Sequence, residues 1–130
     1  MEYVILGAGA AGITAARIIR KADSQGNITM LSTDTQVHSR CMLHKFLSHE
    51  RTAEGLNFAE TDFFEKNRIH WKPGVTVTKL DTAAKKVMTD KGEEISYDKL
   101  LIATGAESFI PPVGNLREAN NVFVLRHLKD

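Results

Sequence analysis

Tyr3-Val4-Ile5-Leu6-Gly7-Ala8-Gly9-Ala10-Ala11-Gly12 is the stretch that decides the fold. Tyr3, Val4, Ile5 and Leu6 form a short apolar run of strand type, and residues 13–19 beyond the glycines carry apolar side chains at helical spacing. The segment therefore reads strand, tight turn, helix. Within the turn, Gly7 permits the sharp change of direction and Gly9 lets the backbone come close to a phosphate. Gly12 allows close packing of helix on strand, which Ala16 continues. Ala10 and Ala11 fall at the helix N-terminus, where unpaired N–H groups and the helix dipole favour negative charge. GxGxxG between a strand and a helix is the setting in which this pattern seats the pyrophosphate of a dinucleotide. A glycine-rich turn in an unrelated α/β protein is the alternative reading.

Polar residues 23–27 end the first helix, and residues 28–31 form a second apolar run. A parallel pair joined by a helix requires a right-handed crossover, so the opening is a βαβ unit, the core of a Rossmann-like α/β fold. Residues 39–49 place Met42, Leu43, Phe46 and Leu47 at helical spacing, and residues 61–67 read as a second short helix. Three short strand-type runs follow, around Val75, Val77 and Leu80, then Val87, then Ile95 and Tyr97. Asp90-Lys91-Gly92 supplies hairpin chemistry between the last two, so this part reads as a β-meander. Residues 100–103 form a fully apolar strand ending at Gly105, and residues 122–125 read as one more short strand after the Pro111-Pro112 loop.

Composition is that of a globular domain. With 130 residues the chain fits one domain, 42% apolar and 25% charged, and its formal net charge of +1 creates no long-range field. That balance argues against nucleic acid or an acidic membrane as partner. The start of the chain has no basic n-region, no h-region and no span of about 20 apolar residues, which points to a cytoplasmic protein. Cys41 is the sole cysteine, so no internal disulfide is possible. His38, His44 and His49 are spaced by six and five residues, which does not make the i, i+4 face of a helical metal site, and no metal is expected. Phe63 and Trp71 are expected in the core.

An acid about 20 residues beyond the last glycine is expected to accept hydrogen bonds from a ribose diol. Asp34 lies 22 residues after Gly12, with Thr33 as the neighbour that can substitute. The glycines alone do not separate NAD from FAD, since both offer an ADP half to the same backbone.

A second motif bears on that choice. Tyr97-Asp98-Lys99-Leu100-Leu101-Ile102-Ala103-Thr104-Gly105 resembles the YDxLLIATG segment of flavoproteins with two dinucleotide-binding domains. The resemblance implies FAD as cofactor, with Ala103, Thr104 and Gly105 beside it, and the small residues suit so close an approach. It extends over nearly the whole chain, through Ser39-Arg40-Cys41-Met42-Leu43-His44-Lys45, the meander beginning at Gly74, and Leu125-Arg126. The chain thus resembles the N-terminal FAD-binding segment of the pyridine nucleotide-disulfide oxidoreductase superfamily, on the branch of rubredoxin reductase, ferredoxin reductase and NADH-dependent nitrite reductase. That branch usually reads SRPxLSK at residues 39–45. The likeness implies that Arg40 meets the phosphate side of FAD and that Lys45 lies near the flavin, where its charge stabilises the reduced ring. It implies an adenine contact for the backbone of Val77 and a late FAD contact for Arg126.

Cys41 departs from the pattern. It replaces the usual proline and falls where the NADH peroxidase and coenzyme A disulfide reductase branch has its redox cysteine, although that branch lacks the Arg40 and Lys45 arrangement. Adjacent cations favour a reactive thiolate, whereas a free cysteine is more commonly a small buried hydrophobe.

The resemblance implies a parent oxidoreductase that draws electrons from NAD(P)H through FAD to a small redox protein or a metal centre, with residues 1–130 as its FAD-binding domain. The family's NAD(P)H and interface domains are not recognisable in these residues. The chain is therefore expected to be a fragment, an excised domain, or one chain of a split enzyme completed by a partner. Two alternatives stay open, a non-catalytic FAD-binding subunit and a Cys41-dependent peroxidase or disulfide reductase.

Overall fold

In a computed structural model describing residues 1–130, strand β1 (Glu2–Leu6) runs through the glycine turn into helix α1 (Ala10–Ala22), and β2 (Asn27–Ser32) returns parallel to β1. A 3-10 turn, Arg40–Met42, leads into the short helix α2 (Leu43–Leu47), a second at Glu54–Leu56 follows, and α3 (Phe63–Lys66) precedes β3 (Ile69–Pro73). Strands β4 (Val77–Asp81), β5 (Lys86–Thr89) and β6 (Glu94–Ser96) form the antiparallel meander, and β7 (Lys99–Ile102) rejoins the first sheet. The parallel sheet has the order β3-β2-β1-β7.

Alternation along β1 explains how two layers form on this sheet. Successive side chains point to opposite faces. Ile5 joins Ile13 and Ala16 of α1, Ile28 and Met30 of β2, and Phe63 of α3 in one buried cluster. Val4 and Leu6 join Leu31, Val75 and Val87 on the other face, where Val77, Ile95, Tyr97 and Leu100 pack around them. Helices thus cover one face and the meander the other. Phe63 and Ala16 are fully buried, as the sequence pattern requires. Trp71 is partly buried and stacks on Phe64 at 4.1 Å.

The hairpin expected at Asp90-Lys91-Gly92 joins β5 to β6, with Gly92 at φ 76° and its N–H donating to the Thr89 carbonyl at 3.0 Å. Three features differ from the sequence reading. Strand β3 was not anticipated; Ile69 faces the core, while Pro73 is tolerated because β3 is an edge strand. Residues 122–125 form no strand: no ladder takes them up, and Phe123 is 83% exposed. Strand β7 is apolar but lies at the sheet edge, with Leu100 half-buried and Ile102 exposed.

Arg20 ties the rear of the sheet together. Its guanidinium donates to four backbone carbonyls: Asn67 at 2.7 Å, Asp23 at 3.1 Å, Gly26 at 2.8 Å and Arg68 at 3.2 Å. One side chain thereby fixes the α1–β2 and α3–β3 connections. Hydrogen bonds from a charged donor contribute more than neutral ones, so Arg20→Met should lower stability by about 2 kcal/mol. Lys21→Met, on the solvent side, should change it by less than about 0.5 kcal/mol. Urea unfolding of both variants measures the difference.

Acid should also loosen the fold. The N–H groups of Gln25 and Gly26 hold the Asp23 carboxyl below its ordinary range, and those of His127 and Arg126 do the same for Asp130. A carboxyl with a depressed folded value contributes stability that is complete above its unfolded pKa of about 3.9 and is lost as pH falls through the folded value. Thermal midpoints should be level above pH of about 5 and decline below about 4. Asp23→Asn should flatten that decline.

Candidate cofactor-binding site

The C-terminal ends of β1, β2 and β7 meet the N-terminus of α1 at one cleft. Strand β1 is flanked by β2 on one side and β7 on the other, so the chain reverses its direction of winding here, the place where open α/β sheets bind ligands. Two main-chain bonds extend the sheet to the cleft: Gly7 N–H donates to the Leu31 carbonyl at 2.7 Å, and Ala103 N–H to the Leu6 carbonyl at 2.8 Å.

Three glycines have separable duties. Gly7 sits at φ 109°, and a methyl there would stand 2.2 Å from the Ala103 carbonyl oxygen. A methyl on Gly12 would stand 1.9 Å from the Gly7 carbonyl oxygen. Both are therefore packing glycines, and Gly7 binds the two sequence motifs to each other. Gly9 differs, since a methyl there would meet nothing within 4 Å and would project into open space. Helix α1 begins at Gly9 without a side-chain cap and with no acid in its first turn. Its first N–H groups, which no helix can satisfy internally, are left for a ligand.

The cleft has a volume of about 490 Å³. Of the expected cofactor residues, it is lined by Gly7, Gly9, Ala10, Ala11, Thr33, Asp34, Arg40, Ala103, Thr104, Gly105 and Arg126, and also by Cys41. A second cavity of about 430 Å³ adjoins it, sharing Thr33, Asp34 and His38. Gly12 lies behind the lining, in its packing role. Val77 is not on the cleft; it packs on the meander against the second hydrophobic cluster. Lys45 is not on the cleft either, because its ammonium pairs with Glu50 at 2.5 Å. That ammonium and the Ser48 hydroxyl hold the Glu50 carboxyl below its ordinary range.

Asp34 stands at the centre of an ionic group. Its carboxylate accepts from the Arg40 Nη2 at 2.7 Å and faces His127 Nδ1 at 3.1 Å. The other terminal nitrogen of Arg40 donates to the Arg126 carbonyl at 2.8 Å, so Arg40 draws the C-terminal segment over the cleft. Asp130 completes this fold-back by accepting the N–H groups of Arg126 and His127, each at 2.7 Å. The Nε of Arg126 is buried without a partner. Cys41 is an exposed free thiol rather than a buried hydrophobe.

Several lining residues were not singled out from sequence: Ala8, His38, Ser39, Phe58 and Glu107, with His127 in the adjoining cavity. Glu107 follows Gly105 by two positions and His127 follows Arg126, so adjacency to a motif was the available signal. His38 likewise adjoins the Ser39–Lys45 segment, but nothing in that spacing shows its burial. The histidines are not gathered into a group that could hold a metal ion, and no helix is long and apolar enough to cross a membrane.

Comparison with known proteins gives the site a context. The family model described as pyridine nucleotide-disulphide oxidoreductase matches residues 1–130. The chain is 30% identical over 130 residues to the NADH-dependent phenylglyoxylate dehydrogenase subunit epsilon of Aromatoleum evansii, covering 99% of this chain and 31% of that protein. It is 34% identical over 110 residues to the rubredoxin-NAD(+) reductase of Pseudomonas putida, covering 83% of this chain and 29% of that one. Among solved structures, the covalent putidaredoxin reductase–putidaredoxin complex superposes with a TM-score of 0.84 at 31% identity, over 99% of this chain and 32% of the other. The chain spans about a third or less of the length of these relatives. Residues 1–130 belong to the pyridine nucleotide-disulphide oxidoreductase family, whose members bind FAD and use NAD(P)H as electron donor.

Proposed function

We propose that residues 1–130 form the FAD-binding domain of an NAD(P)H-dependent oxidoreductase that passes electrons to a small redox protein or a metal centre. The observation that carries this reading is the meeting of the Gly7–Gly12 turn and the Ala103–Gly105 strand end on one cleft. Three features suit FAD: the open space at Gly9, the unpaired Nε of Arg126, and a cleft that continues into a second cavity. When bound, FAD supplies a carrier that accepts an electron pair from NAD(P)H and releases electrons singly or in pairs.

Roles for the chain's own residues follow from charge and geometry. Gly9, Ala10 and Ala11 offer main-chain N–H groups to the pyrophosphate. Asp34, with Thr33 beside it, accepts from the ribose diol, and it must then share or release Arg40. Arg40 and Arg126 place positive charge opposite the phosphates. Ala103, Thr104 and Gly105 hold the strand end narrow enough for close passage. Lys45 reaches the flavin side only if it leaves Glu50, and Val77 offers its backbone to adenine only across the meander. An NAD(P)H domain, in the same parent chain or a partner, completes the reaction, and the acceptor is a redox protein of the kind that the putidaredoxin and rubredoxin reductases are named for. A reducing compartment, the cytoplasm, accords with the single free Cys41.

A second reading draws on the exposure of Cys41 in the cleft, which suits a peroxidase or disulfide reductase that uses the thiol. Rapid peroxide-dependent loss of one thiol in the wild type would favour it; persistence of that thiol would remove it.

Gly9→Val should retain the fold, because its Cβ would meet nothing within 4 Å and Gly9 already has an ordinary extended backbone, yet raise the FAD dissociation constant by more than about ten-fold. Gly55→Ala, whose nearest neighbour stands 3.5 Å away at Thr52, should bind as the wild type does. Fluorescence titration with FAD tests both, and equal retention of FAD would remove the assigned role of Gly9.

Residues 1–130 contain one dinucleotide fingerprint. Orienting the nicotinamide against the flavin can be worth roughly 7 to 11 kcal/mol, and without a second site that term is absent. Stopped-flow bleaching of the FAD-loaded chain by NADH or NADPH should therefore run at the pace of free FAD. Saturable reduction far faster than free FAD would place a nicotinamide site within these residues.

A further inference from the structure

His38 is a buried polar group in the cleft that the proposed function leaves without a role. It is 5% exposed, follows the buried Val37 into the fold, and its Nε2 is buried with no hydrogen-bond partner. A buried polar atom left unpaired costs free energy, so Nε2 calls for a partner that the protein itself does not supply. Nδ1 lies 3.4 Å from the Gln36 carbonyl oxygen, which can only accept, so the tautomer that uses this contact carries its proton on Nδ1 and leaves a lone pair on Nε2. The free nitrogen therefore needs a donor. Only Thr33, Asp34 and His38 line both cavities, so His38 stands at their junction together with the acid assigned to the ribose.

We infer that His38 is a cofactor-positioning residue whose Nε2 accepts a hydrogen bond from a ribose hydroxyl of the adenosine half of FAD, alongside Asp34. This rests on the FAD reading above. The two acceptors divide the work by their surroundings. Asp34 is engaged by Arg40 and His127, whereas Nε2 of His38 is free before the ligand arrives. His38 thus offers the hydroxyl an acceptor that need not first break an ion pair.

The test compares His38→Leu, His38→Asn and His38→Gln with the wild type, using FAD affinity and the melting temperature of the ligand-free chain. Leucine removes both nitrogens. Asparagine keeps a polar atom only near Nδ1, and glutamine restores one near Nε2. Losing a single acceptor should weaken FAD binding by about ten-fold in the leucine and asparagine variants, with glutamine within about three-fold of wild type. The ligand-free leucine variant should melt at or above the wild-type temperature, because the unpaired nitrogen is gone. ADP should lose the same factor, whereas 2′,3′-dideoxyadenosine diphosphate should bind wild type and leucine variant alike.

Unchanged FAD affinity in the leucine and asparagine variants would overturn the inference. So would a lowered ligand-free melting temperature that glutamine restores, since it would mark a structural histidine. An equal loss with the dideoxy analogue would exclude the hydroxyl as the partner. Failure of the wild type to bind FAD or ADP would instead count against the FAD reading itself.

Discussion

The close approach of the Gly7 and Ala103 backbones is the constraint on which the site depends. Strand β1 pairs with β7 in parallel, and at the end of that ladder only a residue without a side chain leaves room for the Ala103 carbonyl. Two segments almost a hundred residues apart are thereby brought to one cleft. The same contact sets the start of α1, because Gly12 packs against the Gly7 carbonyl and fixes where the helix begins. The open space at Gly9 is a consequence of those two tight neighbours.

Charge arranges the rest of the site. Arg40 reaches Asp34 on one side and the Arg126 carbonyl on the other, so a single guanidinium joins the end of β2 to the C-terminal segment. That segment carries no regular secondary structure, and polar contacts hold it: Asp130 on its own backbone, Arg40 and Asp34 on its residues 126 and 127. Since these groups surround the expected ribose and phosphates, cofactor binding and ordering of the C-terminal segment draw on the same ionic partners. The core behind them is apolar and independent of this exchange.

What could be read from sequence was local. The glycine turn, α1, β2, the meander and the Ala103–Gly105 strand end each carry their pattern within a few adjacent residues, and the structure has all of them. Strand β3 escaped because Ile69-His70-Trp71-Lys72-Pro73 is short, shows one buried residue, and is stabilised by pairing with β2 some forty residues earlier. Residues 122–125 misled for the opposite reason, since an apolar run becomes a strand only where a ladder accepts it. Among site residues, backbone roles were legible and side-chain partners were not. Nothing in the spacing of Lys45 and Glu50 discloses their ion pair. Nor does any short motif record the burial of His38 or its unpaired Nε2.

The central claim is that FAD is seated where the two motifs meet, and titration of the isotopically labelled chain with FAD, followed by amide NMR shifts, tests it most directly. The account predicts that the largest changes fall on Gly9, Ala10, Ala11, Thr33, Asp34 and residues 103–105, while α3 and the turn between β5 and β6 stay unchanged. Saturating changes that leave residues 9–11 and 103–105 unmoved would contradict it.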